Sequence, residues 1–362
     1  MPGIQPYSGQ PNKERLIAAM RGEPTDRVPN FEVLIEDQHV EKLLGRPAGN
    51  TLGVGGDPAK GSEAAEGGRP MYPEDYLELC RIIGQDAIVL ENLWTPIKRR
   101  EPDGSIVLWN DRSFRSREDL ARVVWPGEAE IEEKLRYVRE YVSAAEGTGI
   151  GVMFLCGCIF QTLYEFVVGM TDCMVMTIEE PDLLDELMAR SADYFAELVP
   201  RAIDEGVDVV FLADDFAYNK GLFVEPTRFA QLWRPHFDRI MEPASNANKP
   251  ILFHSDGKID DAVEMLLEMG VDCLNPMDPS GVDYRDYKRR YGDQVTLSGN
   301  IDITWPLVNG TPKDVERDVK EHMDVLKPGG RWIAGSSHSI VNYIPHENFA
   351  AMINAIHKYG AY

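Results

Sequence analysis

Short, unbroken apolar runs recur along the chain, and most are followed by an amphipathic stretch with helical spacing. The runs lie at 87–90, 151–156, 209–213, 251–253, 271–274, 295–297 and 331–334, with an earlier candidate at 28–34 that contains Glu32. Helical periodicity is read at 13–20, 76–83, 128–145, 182–203, 226–241, 259–269, 284–291, 312–326 and 347–357. Continuous apolar runs, rather than strict alternation, are expected of parallel strands covered on both faces. About eight strand–helix units favour either a closed barrel or a doubly wound sheet. No glycine-rich fingerprint follows the first strand and no phosphate-binding loop occurs, which argues against a nucleotide-binding doubly wound sheet. The pattern predicts an α/β protein, a (β/α)8 barrel of TIM type with an N-terminal helical extension, as a single domain over 1–362. The stretch 50–70 is rich in Gly, Ala and Glu; it reads as a flexible loop, either a lid or a plain insertion.

Composition narrows the function classes. The chain has 362 residues, is 43% hydrophobic and carries a formal net charge of −23. Such acidity disfavours nucleic acid and anionic membrane surfaces, whose phosphates would be repelled. The five cysteines are too few and too irregular for a disulfide framework, so a reducing, cytoplasmic setting is expected. The first residues lack a signal-peptide core, and no run is long enough to span a bilayer.

In such a barrel the C-terminal ends of the strands meet at one mouth, so polar residues just past each run are the candidates. In order they are Glu32, Glu91 and Asn92, Cys156, Asp214 and Asp215, His254 and Asp256, Asn275 and Asp278, Asn300 and Asp302, and Ser336 and His338. Some of these are expected to cap the following helix instead. Neighbours on an extended chain point opposite ways, so one of Asp214 and Asp215 is expected to face the mouth. His254 and Asp256, two apart, can share one face; a histidine with a carboxylate suits Zn2+, or acid–base work without metal. The expected catalytic set is His254, Asp256 and Asp215, with Glu32, Glu91, Asp214, Asn300 and His338 contacting substrate. Cys156 and Cys158 read as small buried residues, and Met170, Met174 and Met176 as core packing. His39, His236, His322, His346 and His357 are expected to face solvent.

KERLIAAMRGEPTDRVP at 13–29 resembles the opening of the uroporphyrinogen decarboxylase superfamily, which includes the methyltransferases of corrinoid systems. The resemblance continues, in order, through DVVFLADDFAYNKGLFVEPTRFAQLWRPHFDRI, PILFHSDGKI, VDCLNPMDP, VTLSGNIDITWPLVNGTPKDV and GSSHSI. It implies an (α/β)8 barrel. True decarboxylases carry an arginine-rich segment after the first strand, where this chain has Phe31-Glu32-Val33-Leu34-Ile35-Glu36-Asp37. His338 matches a histidine of the decarboxylase site. Thiol methyltransferases of the superfamily hold zinc through His-x-Cys and a distant cysteine; here the first reads His254-Ser255-Asp256 and the second falls within Gly335-Ser336-Ser337. A harder site of His254 and Asp256 suits an oxygen-bearing substrate better than a thiol.

The resemblance implies a substrate-side methyltransferase, an O-demethylase component. It would move a methyl group from a small methoxylated compound, aromatic ethers included, to the cobalt of a partner corrinoid protein. The cobalamin would be carried by that partner, Zn2+ would sit at His254 and Asp256, and a homo-oligomer is compatible. A decarboxylase of a small acid and a non-catalytic subunit of a corrinoid complex are the alternatives.

Overall fold

A computed structural model describes residues 3–5, 7–53 and 71–362. Most of the 50–70 stretch, residues 54–70, lies outside the described residues. Seven parallel strands form the central sheet: β1 (Ala87–Trp94), β2 (Gly151–Cys158), β3 (Val209–Ala213), β4 (Ile251–His254), β5 (Cys273–Asn275), β6 (Thr296–Ser298) and β7 (Trp332–Ile333). They pair in sequence order, each with the next. Helices such as Pro181–Glu205, Pro226–Asn246, Pro312–Leu326 and His346–Tyr359 connect them and cover the outside.

Strand residues alternate between two apolar cores, which is what a barrel wall requires. Ala87, Val89, Met153, Leu155, Val209, Phe211, Leu252, Cys273 and Ile333 fill the interior, joined by Leu16 and Met20 of the first helix (Lys13–Arg21). Ile88, Leu90, Val152, Phe154, Val210, Leu212, Ile251, Phe253 and Leu274 face outward, onto the helices.

The 28–34 run is extended but joins β7 only by a parallel bridge between Asn30 and Ala334. The Phe31 amide donates to the Ala334 carbonyl at 2.9 Å and the Ala334 amide to the Pro29 carbonyl at 2.8 Å. Towards β1, side chains replace the backbone ladder. Asn30 Nδ2 donates to the Ile83 carbonyl, and Gln85 Oε1 accepts the Glu32 amide while its Nε2 donates to the Ala87 carbonyl. Gly335 is required at this seam, because a Cβ there would run into the Phe31 carbonyl oxygen. The wall is thus a (β/α)8 barrel with the 28–32 segment as its closing stave. Below it, Arg15 of the N-terminal helical extension bonds Asp86 at 2.8 Å, a pair almost wholly buried at the foot of β1.

Four features depart from the sequence reading. A helix spans Asp37–Leu44, and another, Met170–Glu179, carries the three methionines. Of these, Met176 is buried but Met170 is 40% exposed, so only part of that set packs inward. A small antiparallel sheet of Lys98–Arg100, Ile106–Leu108 and Val123–Val124 is inserted after β1. His39, His236 and His322, expected at the surface, are buried. Each has a remote partner: the Val341 carbonyl for His39, Asp185 for His236 and Asn300 for His322. All five cysteines are buried and free. Among the described residues no helix is long and apolar enough to cross a membrane.

Candidate active site

The interior parity of β3, β4 and β5 runs on past the strand ends. Phe211 and Ala213 point inward, so Asp215 does too; Leu252 leads to His254, and Cys273 to Asn275. Asp256 follows in the turn after β4. That turn needs Gly257, whose φ of +86° brings its backbone against the Ala217–Tyr218 segment, where a side chain would collide.

Asp215, His254 and Asp256 therefore converge, with one ligand atom each lying within 4.8 Å of the others. His254 Nε2 is 4.0 Å from Asp215 Oδ1 and 3.8 Å from Asp256 Oδ1. His338 joins from beyond β7, its Nε2 3.3 Å from Asp256 Oδ2. Each group is anchored from behind. Gln161 grips Asp215 twice: its Nε2 donates to Oδ2 at 3.0 Å and its Oε1 accepts the Asp215 amide at 3.2 Å. Asp215 Oδ1 also accepts the Asp256 amide at 2.9 Å, which couples the two loops. Tyr164 donates its hydroxyl to the Asp215 carbonyl at 2.8 Å. His254 Nδ1 meets Asn275 Oδ1 at 2.7 Å.

The electrostatics follow from crowding two carboxylates in one mouth. Burial and then the neighbouring Asp256 charge push the Asp215 carboxyl up. Burial pushes Asp256 up as well, but His338 and His254 outweigh it and hold this carboxyl below its usual range. Burial pulls His338 down and the Asp256 charge more than reverses this. Asp256 Oδ1 is buried without a hydrogen-bond partner, an expensive arrangement unless a cation completes it. An imidazole nitrogen and two carboxylate oxygens facing one point are a donor set for a divalent cation of the harder kind. The residues present fit such an ion.

Several other expected contacts are placed elsewhere, and two lie beside the mouth. Asp214, wholly buried, points outward and caps the turn at Phe160–Thr162. It accepts the Phe160 and Gln161 amides at 2.9 and 2.7 Å and the Trp233 indole N–H at 2.8 Å. Burial nevertheless pushes it up to about 7. Asn300 bonds the Met277 carbonyl and His322, away from the mouth. Asn92 bonds Tyr194 on the outer face. Glu91, in the middle of β1 and only partly buried, keeps the inward parity of Ala87 and Val89 and lies near Cys158, which contacts Gln161. Asp302 caps its own turn through the Thr304 amide, whereas Asp278 caps a turn through the Ser280 amide and also accepts the Gly257 amide at 2.9 Å, beside Asp256. Cys156 and Cys158 are buried, and burial raises both thiols. Gln161 is the residue that strand-end reasoning missed. Its signal, an amide in the first turn after β2, is faint.

Glu32 is buried and belongs to the seam. Its carboxyl accepts the Ser336 amide at 3.0 Å, and the Ser336 hydroxyl lies between Glu32 Oε2 and the His338 carbonyl. One hydroxyl proton cannot satisfy two acceptors, so a neutral Glu32 that donates to Ser336 completes the chain. Burial agrees, pushing Glu32 up from 4.5 to about 8 against the Ser336 bonds. A carboxyl raised on folding stabilises fully below its unfolded value, and that contribution is lost as pH rises through the folded one. Stability from this group should therefore fall between about 4.5 and about 8. Glu32→Gln, a neutral stand-in, is expected to flatten that decline in urea midpoints taken across the window. An unchanged slope would mean that Glu32 is ionised in the folded protein.

A family model described as uroporphyrinogen decarboxylase (URO-D) matches residues 90–359. The uroporphyrinogen decarboxylase of Alkalilimnicola ehrlichii is 23% identical, over 95% of this chain and 93% of that protein. The Methylcobamide:CoM methyltransferase MtaA of Methanosarcina barkeri is 24% identical, over 96% of this chain and 98% of that one. A solved methyltransferase from Methanosarcina mazei shares the fold, with a TM-score of 0.65 at 18% identity over 97% of this chain and 99% of that one. The family match thus covers β2 to β7 whole, with every strand end that feeds the mouth, and the chain belongs to the uroporphyrinogen decarboxylase (URO-D) family.

Proposed function

We propose that this protein is the substrate-side methyltransferase of a corrinoid system. It takes a methyl group from the oxygen of a small methoxylated compound, aromatic ethers included, and passes it to the cobalt of a partner corrinoid protein. The observation that carries this reading is the convergence of Asp215, His254 and Asp256, with Asp256 Oδ1 buried and unpartnered. The set contains no thiolate, which favours an oxygen-bearing substrate over a sulfur one. Similarity to a methylcobamide:CoM methyltransferase along nearly its whole length supports the corrinoid side.

In the overall reaction the C–O bond breaks with its electron pair going to oxygen. Co(I) supplies the pair for the new Co–C bond, and the oxygen takes a proton to leave as a hydroxyl compound. Asp215, His254 and Asp256 would hold a divalent cation such as Zn2+, which when bound supplies Lewis-acid polarisation of the substrate oxygen. Gln161 and Asn275 hold the ligands still, and His338 fixes the second oxygen of Asp256. Tyr218, Trp305 and Tyr343 are about half exposed on the loops after β3, β6 and β7. They offer apolar surface to an aromatic substrate or to a corrin. The Phe31–Asp37 segment holds no arginine to pair with the carboxylates of a porphyrinogen, which speaks against decarboxylation of that substrate.

The test is to incubate the purified protein with a Co(I) corrinoid protein and a panel of methoxylated aromatics, following the methyl-Co(III) spectrum. Its appearance with at least one donor is expected. No methyl-Co(III) from any donor, with carbon dioxide released from a small acid instead, would move the assignment to the decarboxylase alternative.

A further inference from the structure

We infer that Asn275 is a positioning residue that locks His254 in the Nδ1–H tautomer, so that a bare Nε2 lone pair faces Asp215 and Asp256. The two side chains are neighbours across β4 and β5, where His254 and Asn275 stand in register. The Asn275 amide is buried and held at its other end, with Nδ2 donating to Ser298 Oγ at 3.0 Å. That bond leaves Oδ1 to meet His254 Nδ1 at 2.7 Å, and a carbonyl oxygen can only accept. The single N–H of a neutral imidazole is therefore spent on Asn275.

The opposite side of the ring carries the consequence. Nε2 is 4.0 and 3.8 Å from the nearest oxygens of Asp215 and Asp256, too far for hydrogen bonds to either. A bare lone pair beside two carboxylates is repulsive unless a cation lies among them. The second imidazole is held the other way round. The Ser339 amide donates to His338 Nδ1 at 2.7 Å, so the His338 N–H sits on Nε2 and points to Asp256 Oδ2 at 3.3 Å. Asp256 is thus flanked by one imidazole that presents a lone pair and one that presents a proton. The first can ligate a cation. The second cannot do so while it holds Asp256, and acts as the donor that fixes that carboxylate's orientation. The role of Nε2 as a cation ligand rests on the reading above; the tautomer does not.

Nitrogen-15 NMR of histidine-labelled, metal-free protein at alkaline pH reads the tautomer directly. In the wild type the His254 proton is expected on Nδ1 and the His338 proton on Nε2. Asn275→Leu, which has no acceptor, should move the His254 proton towards Nε2, and Asn275→Asp, which keeps one, should restore it. A wild-type His254 with its proton on Nε2, or a tautomer that ignores Asn275→Leu, overturns the lock. If Asn275→Leu does not fold, the wild type and Asn275→Asp still decide the matter. Zinc competition titrations on the same proteins then address the cation. Asn275→Leu is expected to weaken zinc about 10–100-fold, the usual scale for losing a group that orients a ligating histidine, with Asn275→Asp recovering it. The expected tautomers in a protein that binds no zinc would sink the cation reading and leave the lock standing.

Discussion

Replacing His254 with alanine is expected to remove stoichiometric metal from the protein and to slow methyl transfer by about 10²–10³-fold. The size follows from what the site lacks. A methyl ether leaves as a poor anion unless its oxygen is polarised, and a cation at this mouth is worth several kcal/mol of charge stabilisation. His254 is the one nitrogen among the three converging groups, and the others are carboxylates whose charges oppose each other. Removing the imidazole leaves Asp215 and Asp256 coupled by a single backbone bond, Asp256 N–H to Asp215 Oδ1. Metal content by elemental analysis and single-turnover formation of methyl-Co(III) measure the two halves separately. A His254→Ala protein that keeps both its metal and its rate would end the cation reading. Loss of rate with full metal would instead make His254 a substrate contact.

Trp233 should give the largest loss of stability. Its ring is fully buried, stacked on Phe237 at 4.1 Å and packed against Phe229, Phe216 and Phe253. Trp233→Ala leaves a cavity where the helix Pro226–Asn246 meets the outer face of β4, and should cost about 3–5 kcal/mol. The indole N–H is also one of three donors to Asp214. Trp233→Phe keeps most of the ring and isolates that bond, which at a buried carboxyl should cost about 1.5–3 kcal/mol. Urea unfolding compares the two. A Phe variant as stable as the wild type would show that the Phe160 and Gln161 amides alone satisfy Asp214. The effect should also reach the site, because Asp214 holds the turn from which Gln161 grips Asp215.

The core of the site was legible because extended parity is a local property. Once 209–213 and 251–253 read as strands, counting in twos puts His254 and Asp256 on one face and one of Asp214 and Asp215 at the mouth. The barrel was legible for the same reason, from repeated runs. What could not be read depends on remote partners. Asp214 and Asp215 look alike in sequence. Only the amides of residues 160 and 161 and the indole of Trp233 decide that the first is a cap. Asn300 turns from the mouth because His322, 22 residues on, takes its oxygen, and the same bond buries a histidine expected at the surface. The inserted sheet at 98–124 has no legible pattern because its strands are two or three residues long and one of them is Lys98-Arg99-Arg100. The helix at Asp37–Leu44 was hidden by acidic residues that read as a strand's end.

The closing stave has a consequence for the order of assembly. Besides their contacts towards β1, residues 27–35 pair with residues 334, 340, 360 and 361, some three hundred positions on. On a ribosome these contacts cannot form until residues 334–361 have emerged. Until then the sheet has no partner for its β7 edge, and an unpaired edge is open to wrong pairing. Closure then brings Glu32 against Ser336 and sets the backbone of His338 in the same event. The bridge that closes the wall and the bonds that set the His338 backbone thus lie side by side, at the seam between the 28–32 segment and β7.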